Sequence, residues 1–268
     1  MHDDRPPAGC ATRTMWRFED GHGEEAVDRL AEEVPVAIHV DGDAFAVMMA
    51  SPMDIEDFAR GFALTESLVS SMDDIVGIAV DEFLEGIVVH LTTAEGAPAS
   101  KKNARQIPGR SGCGICGTRE LEDVVRQPPR IDGGPTITAV TIQRALDALR
   151  SRQPVNAFTG SVHAAAWVRD DGGIVLVRED VGRHNALDKL IGAMAVAGID
   201  ASGGFALITS RASYEMVTKA ATAGIAMVVA ISAPTALAVQ LANSCGVTLA
   251  GFARPGRFNV YSWPERIR

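Results

Sequence analysis

From Val34 onward, apolar residues fall into short runs bounded by turn-forming residues. PVAIHV and AFAVMMA flank Asp41-Gly42-Asp43, two apolar runs about a tight turn, which predicts a β-hairpin. Ser51-Pro52 then offers an N-cap followed by proline at the first helical position. Asp54, Glu56 and Asp57 favour the positive end of a helix running to about Ser67. DIVGIAV and EGIVVHL add two strands and complete a small α+β unit near Thr93. Residues 1–23 are polar, rich in proline and glycine and without periodicity, and predict a mobile tail.

Lys101 to Gly117 reads as a glycine-rich loop carrying Lys101, Lys102, Arg105 and Arg110, and TRELEDVV after it has helical character. The segment QPPRIDGGP marks a domain boundary, giving a first domain over 24–128 that ends in this loop and short helix, and a second over 135–268. The second half is an ordered series. A helix (ITAVTIQRALDALRS) precedes strands SVHAAAWV and IVLVRE; helices GRHNALDKLIGAMAVAG, ASYEMVTKAATAG and PTALAVQLANSCG then alternate with strands FALITS, AMVVAIS and VTLAGFA, and RFNVYSW closes the chain. Short, almost wholly apolar strands alternating with helices predict an α/β sheet buried on both faces. Ligands of such sheets sit beyond the carboxyl ends of the strands. Here those ends carry Arg178-Glu179-Asp180, Thr209-Ser210-Arg211, Ser232-Ala233-Pro234 and Arg254-Pro255-Gly256-Arg257.

At 268 residues and 47% apolar content the chain can build a proper core, while 5% aromatics argue against a carbohydrate or base-stacking surface. A net charge of −9 disfavours generic nucleic-acid binding. Residues 24–85 hold sixteen acidic side chains against Arg29 and Arg60, a solvated face or a docking surface for a basic partner. No apolar run reaches membrane-spanning length, and MHDDRPPAGC lacks the apolar core of an export signal, so the expected location is the cytoplasm. Cysteines in that reducing compartment rest as thiols.

Two of the four cysteines stand in SGCGICGTRE, as Cys113 and Cys116. A structural zinc site needs two more ligands at suitable spacing, which Cys10 and Cys245 do not provide, so no metal is expected. A thioredoxin-like dithiol needs a core strand before the pair, and KKNARQIPGRS is no strand. An inert pair in a glycine turn stays open, as does nucleophilic sulfur chemistry. The latter needs a thiol whose pKa is lowered by cations or a helix N-terminus, and Arg110, Arg119 and the helix beginning near Thr118 offer both.

GFALTES (61–67), CGICG (113–117), FTGSVHAAAW (158–167), EDVGRHNALDKLIG (179–192), TSRASYEMVTKAATAGI (209–225) and GFARPGRFNVY (251–261) together resemble one family, the FdhD accessory sulfurtransferases of formate dehydrogenase. The resemblance implies a cytidine-deaminase-like layered mixed sheet with helices on both faces beside the smaller N-terminal α+β domain. It also implies a homodimer that carries sulfur from a cysteine desulfurase to the bis-molybdopterin guanine dinucleotide cofactor, with Cys113 as persulfide carrier and Cys116 assisting. The alternative is a non-catalytic chaperone that binds the same cofactor for formate dehydrogenase. Ser67 departs from the glycine the family often has there.

A zinc deaminase would need H-x-E on one helix and P-C-x-x-C on the next. Here Ala186 stands at the glutamate position after His184, and 209–213 contains no cysteine, so deamination is not expected. Arg183, His184, Asn185 and Arg211 then read as a phosphate site near helix N-termini. The resemblance assigns Phe252, Ala253, Arg254, Pro255, Gly256 and Arg257 to the nucleotide, with two arginines for phosphate and a Pro-Gly turn freeing backbone N–H groups. His163 reads equally as a core histidine, and Asp188 with Lys189 as an exposed helix pair.

Overall fold

The computed structural model describes residues 6–98 and 127–268. Cys113, Cys116 and the helix expected after them lie outside the described residues.

The first unit is a four-stranded sheet of order β4-β3-β6-β5, with β3 (Val34–Val40), β4 (Asp43–Ala50), β5 (Ile75–Phe83) and β6 (Gly86–Thr93). The hairpin at Asp41-Gly42 is as the sequence predicts; both residues have positive φ, the requirement of a tight two-residue turn. One face buries Val36, Ile38, Val89 and Leu91 against Phe58 and Phe62 of α1 (Ile55–Thr65).

Helix α1 begins three residues later than the sequence suggests. Its N-cap is Asp54 at φ 52, without a side-chain capping bond. Ser51 is drawn elsewhere: its N–H donates to Asp180, its carbonyl accepts from Lys189, and its hydroxyl accepts from Val181 N–H. Tertiary bonds to buried charges outcompete one local cap.

The second unit is a six-stranded sheet of order β12-β11-β10-β9-β7-β8. Its strands are β7 (His163–Arg169), β8 (Ile174–Asp180), β9 (Gly204–Ile208), β10 (Met227–Ala230), β11 (Thr248–Arg254) and β12 (Arg257–Ser262). β9, β10 and β11 run parallel, and the other pairs are antiparallel, so the sheet is mixed. Period-two alternation sends Phe205, Leu207, Met227 and Val229 to one face, covered by α2 (Ala139–Leu149). Ala206, Ile208, Val228 and Leu249 go to the other, under α4 (Arg183–Val196), α5 (Tyr214–Thr222) and α6 (Ala236–Cys245). The sequence reading omits a six-residue helix, α3 (Pro154–Thr159), whose proline stands at its start and whose N–H groups at Val155 and Asn156 donate to Glu179 at 2.9 Å each.

Helix α4 is sandwiched between this sheet and α1, which explains its nearly complete burial from His184 to Met194. The close approach depends on two glycines. A Cβ on Gly61 would lie 1.8 Å from Asp188 O, and one on Gly192 would lie 2.0 Å from Asp57 O.

The expectation of a mobile tail over 1–23 is corrected from residue 10 onward. β1 (Cys10–Glu19) and β2 (His22–Ala31) pair through ten antiparallel positions, turning at Asp20-Gly21, both with positive φ. The ribbon's foot, Cys10 and Ala31, packs on Val155, Phe158 and Val162. Residues 24–31 therefore pair with the segment before them, and the boundary drawn at 23/24 falls inside a ladder. Most of the ribbon is exposed on both faces, so its sequence carries no apolar alternation to read.

Candidate functional site

Register brings the polar strand ends together. His163, the first residue of β7, lies opposite Asp180, the last of β8; Ala165 lies opposite Ile208 and Ile208 opposite Ala230. The carboxyl ends of β8 through β11 thus share one edge with the start of β7.

Asp180 is fully buried there and accepts from Ser51 N–H (3.0 Å), Gly182 N–H (2.7 Å) and Asn185 Nδ2 (2.9 Å), with Lys189 Nζ at 2.7 Å. Four donors hold the carboxylate in place and set the loop that starts α4. Asn185 is accordingly corrected from ligand-facing to structural, because its amide also donates to Met49 O at 2.8 Å and the residue is buried. Asp188 and Lys189 are likewise not an exposed pair. Both are buried and point apart, Lys189 to Asp180 and Asp188 to Lys219 of α5.

Arg183 and His184 open α4, and Arg211 follows β9 as an exposed residue. All three act on His163. Burial lowers its pKa, the charge of Arg183 and the neighbouring His184 and Arg211 lower it further, and Asp180 opposes them. His163 is therefore neutral at pH 7, a half-buried imidazole in a cationic surround. Ser213 and Glu215, at the start of α5, join the cluster. His184 Nε2 lies 3.9 Å from Glu215 Oε2. Burial would raise the Glu215 carboxyl, but the nearby His184 and Ser213 side chains, neither at full hydrogen-bonding geometry, and its own backbone N–H outweigh this and hold it at about 2.

Three buried polar atoms of this cluster have no hydrogen-bond partner among the described residues: Arg183 Nε, His184 Nε2 and Ser213 Oγ. Buried polar atoms are normally satisfied, since leaving one unpaired costs about 1–3 kcal/mol. Three together beside two helix N-termini and an exposed arginine form a surface built to receive acceptor oxygens. The fit to a phosphate-bearing ligand rests on these atoms. Among the described residues, no group of three or more His, Cys, Asp or Glu side chains is placed to hold a metal ion.

The segment 252–257 lies at the same edge but two strands away from β9, on β11 and its turn. Phe252 has φ 52 within an irregular stretch of the β11–β12 pairing, and its ring is exposed. Bulges commonly re-aim a side chain in this way. Ala253 is buried in the core under α2. Arg254 donates to the carbonyls of Ile231 and Ala253, while Pro255, Gly256 and Arg257 are exposed. The expectation that this turn frees its N–H groups is corrected at Gly256, whose N–H is committed to Gln143 Oε1 at 2.7 Å. The remaining cysteines, Cys10 and Cys245, are buried, and burial pushes both thiols up.

The sequence reading missed Glu215 and Ser213. Their only signal is a serine and an acidic residue at a helix start, the pattern of an ordinary cap.

A family model described as the FdhD/NarQ family matches residues 31–268. A sulfur carrier protein FdhD from Xanthomonas campestris pv. campestris (strain B100) is 52% identical over 260 residues, covering 97% of this chain and 92% of its own. Another from Cupriavidus necator is 47% identical over 266 residues, covering 99% and 92%. A crystal structure described as a candidate formate dehydrogenase accessory protein from Desulfotalea psychrophila superposes with a TM-score of 0.76 at 23% identity, over 97% of this chain and 99% of that one. No helix among the described residues is long and apolar enough to cross a membrane.

Proposed function

The chain belongs to the FdhD/NarQ family, and from that premise we propose that it is a sulfur carrier for formate dehydrogenase, moving sulfane sulfur from a cysteine desulfurase to the bis-molybdopterin guanine dinucleotide cofactor. The observation that carries the ligand half is the group of unpartnered buried atoms on Arg183, His184 and Ser213 beside exposed Arg211. These residues would take the ligand's phosphate oxygens. Exposed Phe252 would offer a ring face to the base, with Arg257 adding charge at the rim. The layered fold is read as deaminase-like, with this cationic group where a zinc centre would stand: Ala186 replaces the glutamate, and 209–213 supplies no cysteine.

The carrier half rests on Cys113 and Cys116. In the proposed cycle the Cys113 thiolate attacks the terminal sulfur of the desulfurase persulfide, a new S–S bond forms, and the donor cysteine leaves as a thiolate. No net oxidation occurs. On delivery, Cys116 thiolate attacks Cys113 Sγ, the two close a disulfide, and the terminal sulfur departs with the bonding electron pair as sulfide to the cofactor. A dithiol reductant then resets the pair. The acidic 24–85 region is the proposed platform for the desulfurase. The reading includes a cytoplasmic homodimer.

The competing reading, a chaperone that only holds the cofactor, is separated by the double variant Cys113→Ala/Cys116→Ala. With purified desulfurase, cofactor and apo-formate dehydrogenase, the double variant should bind guanosine diphosphate like the parent yet give no activation. Activation at the parent level would favour the chaperone.

A further inference from the structure

We propose that Glu215 is a positioning residue of the phosphate site, holding the His184 imidazole so that its Nε2 is presented to the ligand. The inference rests on the reading of that site as an anion receptor.

A carboxylate is an unexpected tenant there. Arg183 and Arg211 gather positive charge for an acceptor ligand, and an ionised Glu215 beside them repels the same ligand directly. Glu215 is nevertheless three-quarters or more withdrawn from solvent, its side chain 21% exposed and that of His184 10%. Its Oε2 faces His184 Nε2 at 3.9 Å, too long for a hydrogen bond and close enough for strong attraction in a poorly solvated cluster. The ring therefore has an electrostatic anchor and still keeps an unfilled hydrogen-bonding position. A carboxylate at that distance restrains the imidazole through the same nitrogen without closing a hydrogen bond on it.

The helices fix the distance. One turn further along both, Asp188 and Lys219 repeat the pairing, Nζ to Oδ2 at 2.8 Å and to Oδ1 at 3.0 Å, buried and tied to Thr65 Oγ1. The His184–Glu215 and Asp188–Lys219 contacts are successive rungs between α4 and α5, four residues apart on each. The second rung clamps the helices, and the first is left at the open edge with its separation already set.

The sign of one substitution separates positioning from simple charge. Removing a repelling carboxylate improves binding of an anion; removing an orienting one weakens it. Calorimetric titration with inorganic pyrophosphate should show Glu215→Gln and His184→Gln each weakening binding about five- to tenfold, and the double variant no weaker than the poorer single, as coupled neighbours behave. Glu215→Asp, which draws the charge back by one methylene, should fall between parent and Glu215→Gln. The ¹⁵N resonance of His184 Nε2 should move in both Glu215 variants. Equal or tighter pyrophosphate binding by Glu215→Gln overturns the inference, as do additive losses in the double variant or an unmoved resonance, while the phosphate site stands. Absence of pyrophosphate binding by the parent chain overturns the site reading itself.

Discussion

Replacing Lys219 with methionine should cost about 3–5 kcal/mol of folding stability, the loss typical of stripping one partner from a buried ion pair. Lys219 and Asp188 side chains are 9% and 2% exposed. Asp188 accepts from Lys219 at both oxygens and from Thr65 Oγ1 at 2.8 Å; burial pushes its carboxyl up and these donors oppose the rise. Burial works against the charge on Lys219, but Asp188 and Glu66 outweigh it and hold the ammonium above its ordinary pKa. Methionine keeps the stem's volume and leaves Asp188 unpaired in the interior. Denaturant unfolding should register the loss, and adding Asp188→Leu should recover most of it, because removing both charges also removes the desolvation penalty. A single-variant loss below about 1 kcal/mol would mean that the pair is solvated rather than clamped between α4 and α5.

Gly61→Ala should also destabilise, by about 3 kcal/mol, although alanine is the better helix former by about 1 kcal/mol. Propensity loses because the new methyl group would sit 1.8 Å from the Asp188 carbonyl oxygen, and backbone on a packed helix cannot step aside. Separating α1 from α4 would also stretch Arg178 Nη2 to Asp57 Oδ2, at 2.7 Å, and Lys219 Nζ to Thr65 Oγ1, at 2.9 Å. Thermal unfolding of the purified variant checks the sign: a raised midpoint would show that the helices do not meet as described.

These two expectations show where the sequence could be read and where it could not. The six-stranded sheet was legible because its inner strands are buried on both faces and read as unbroken apolar runs, such as AMVVAIS. The placement of Arg183, His184 and Arg211 at the strand-end edge was legible because the strand-end rule needs only element order. The β1–β2 ribbon was hidden for the opposite reason: exposed on both faces, it has no period. Yet Asp20-Gly21 is the same turn signal that marked Asp41-Gly42. The buried rungs were hidden by separation, since Lys219 finds Asp188 31 positions away and Thr65 154 away. Asn185 and Gly256 look like donors in sequence, but Asp180 and Gln143 already engage them.

The carrier claim meets its most direct test in intact-protein mass spectrometry after incubation with a cysteine desulfurase and cysteine. The parent chain should gain ~32 Da, one sulfane sulfur, which a reductant removes. Cys113→Ala should gain nothing, and Cys116→Ala should keep the adduct. An adduct that persists in Cys113→Ala, or a parent chain that never acquires one, contradicts the assignment of Cys113 as the sulfur-bearing residue.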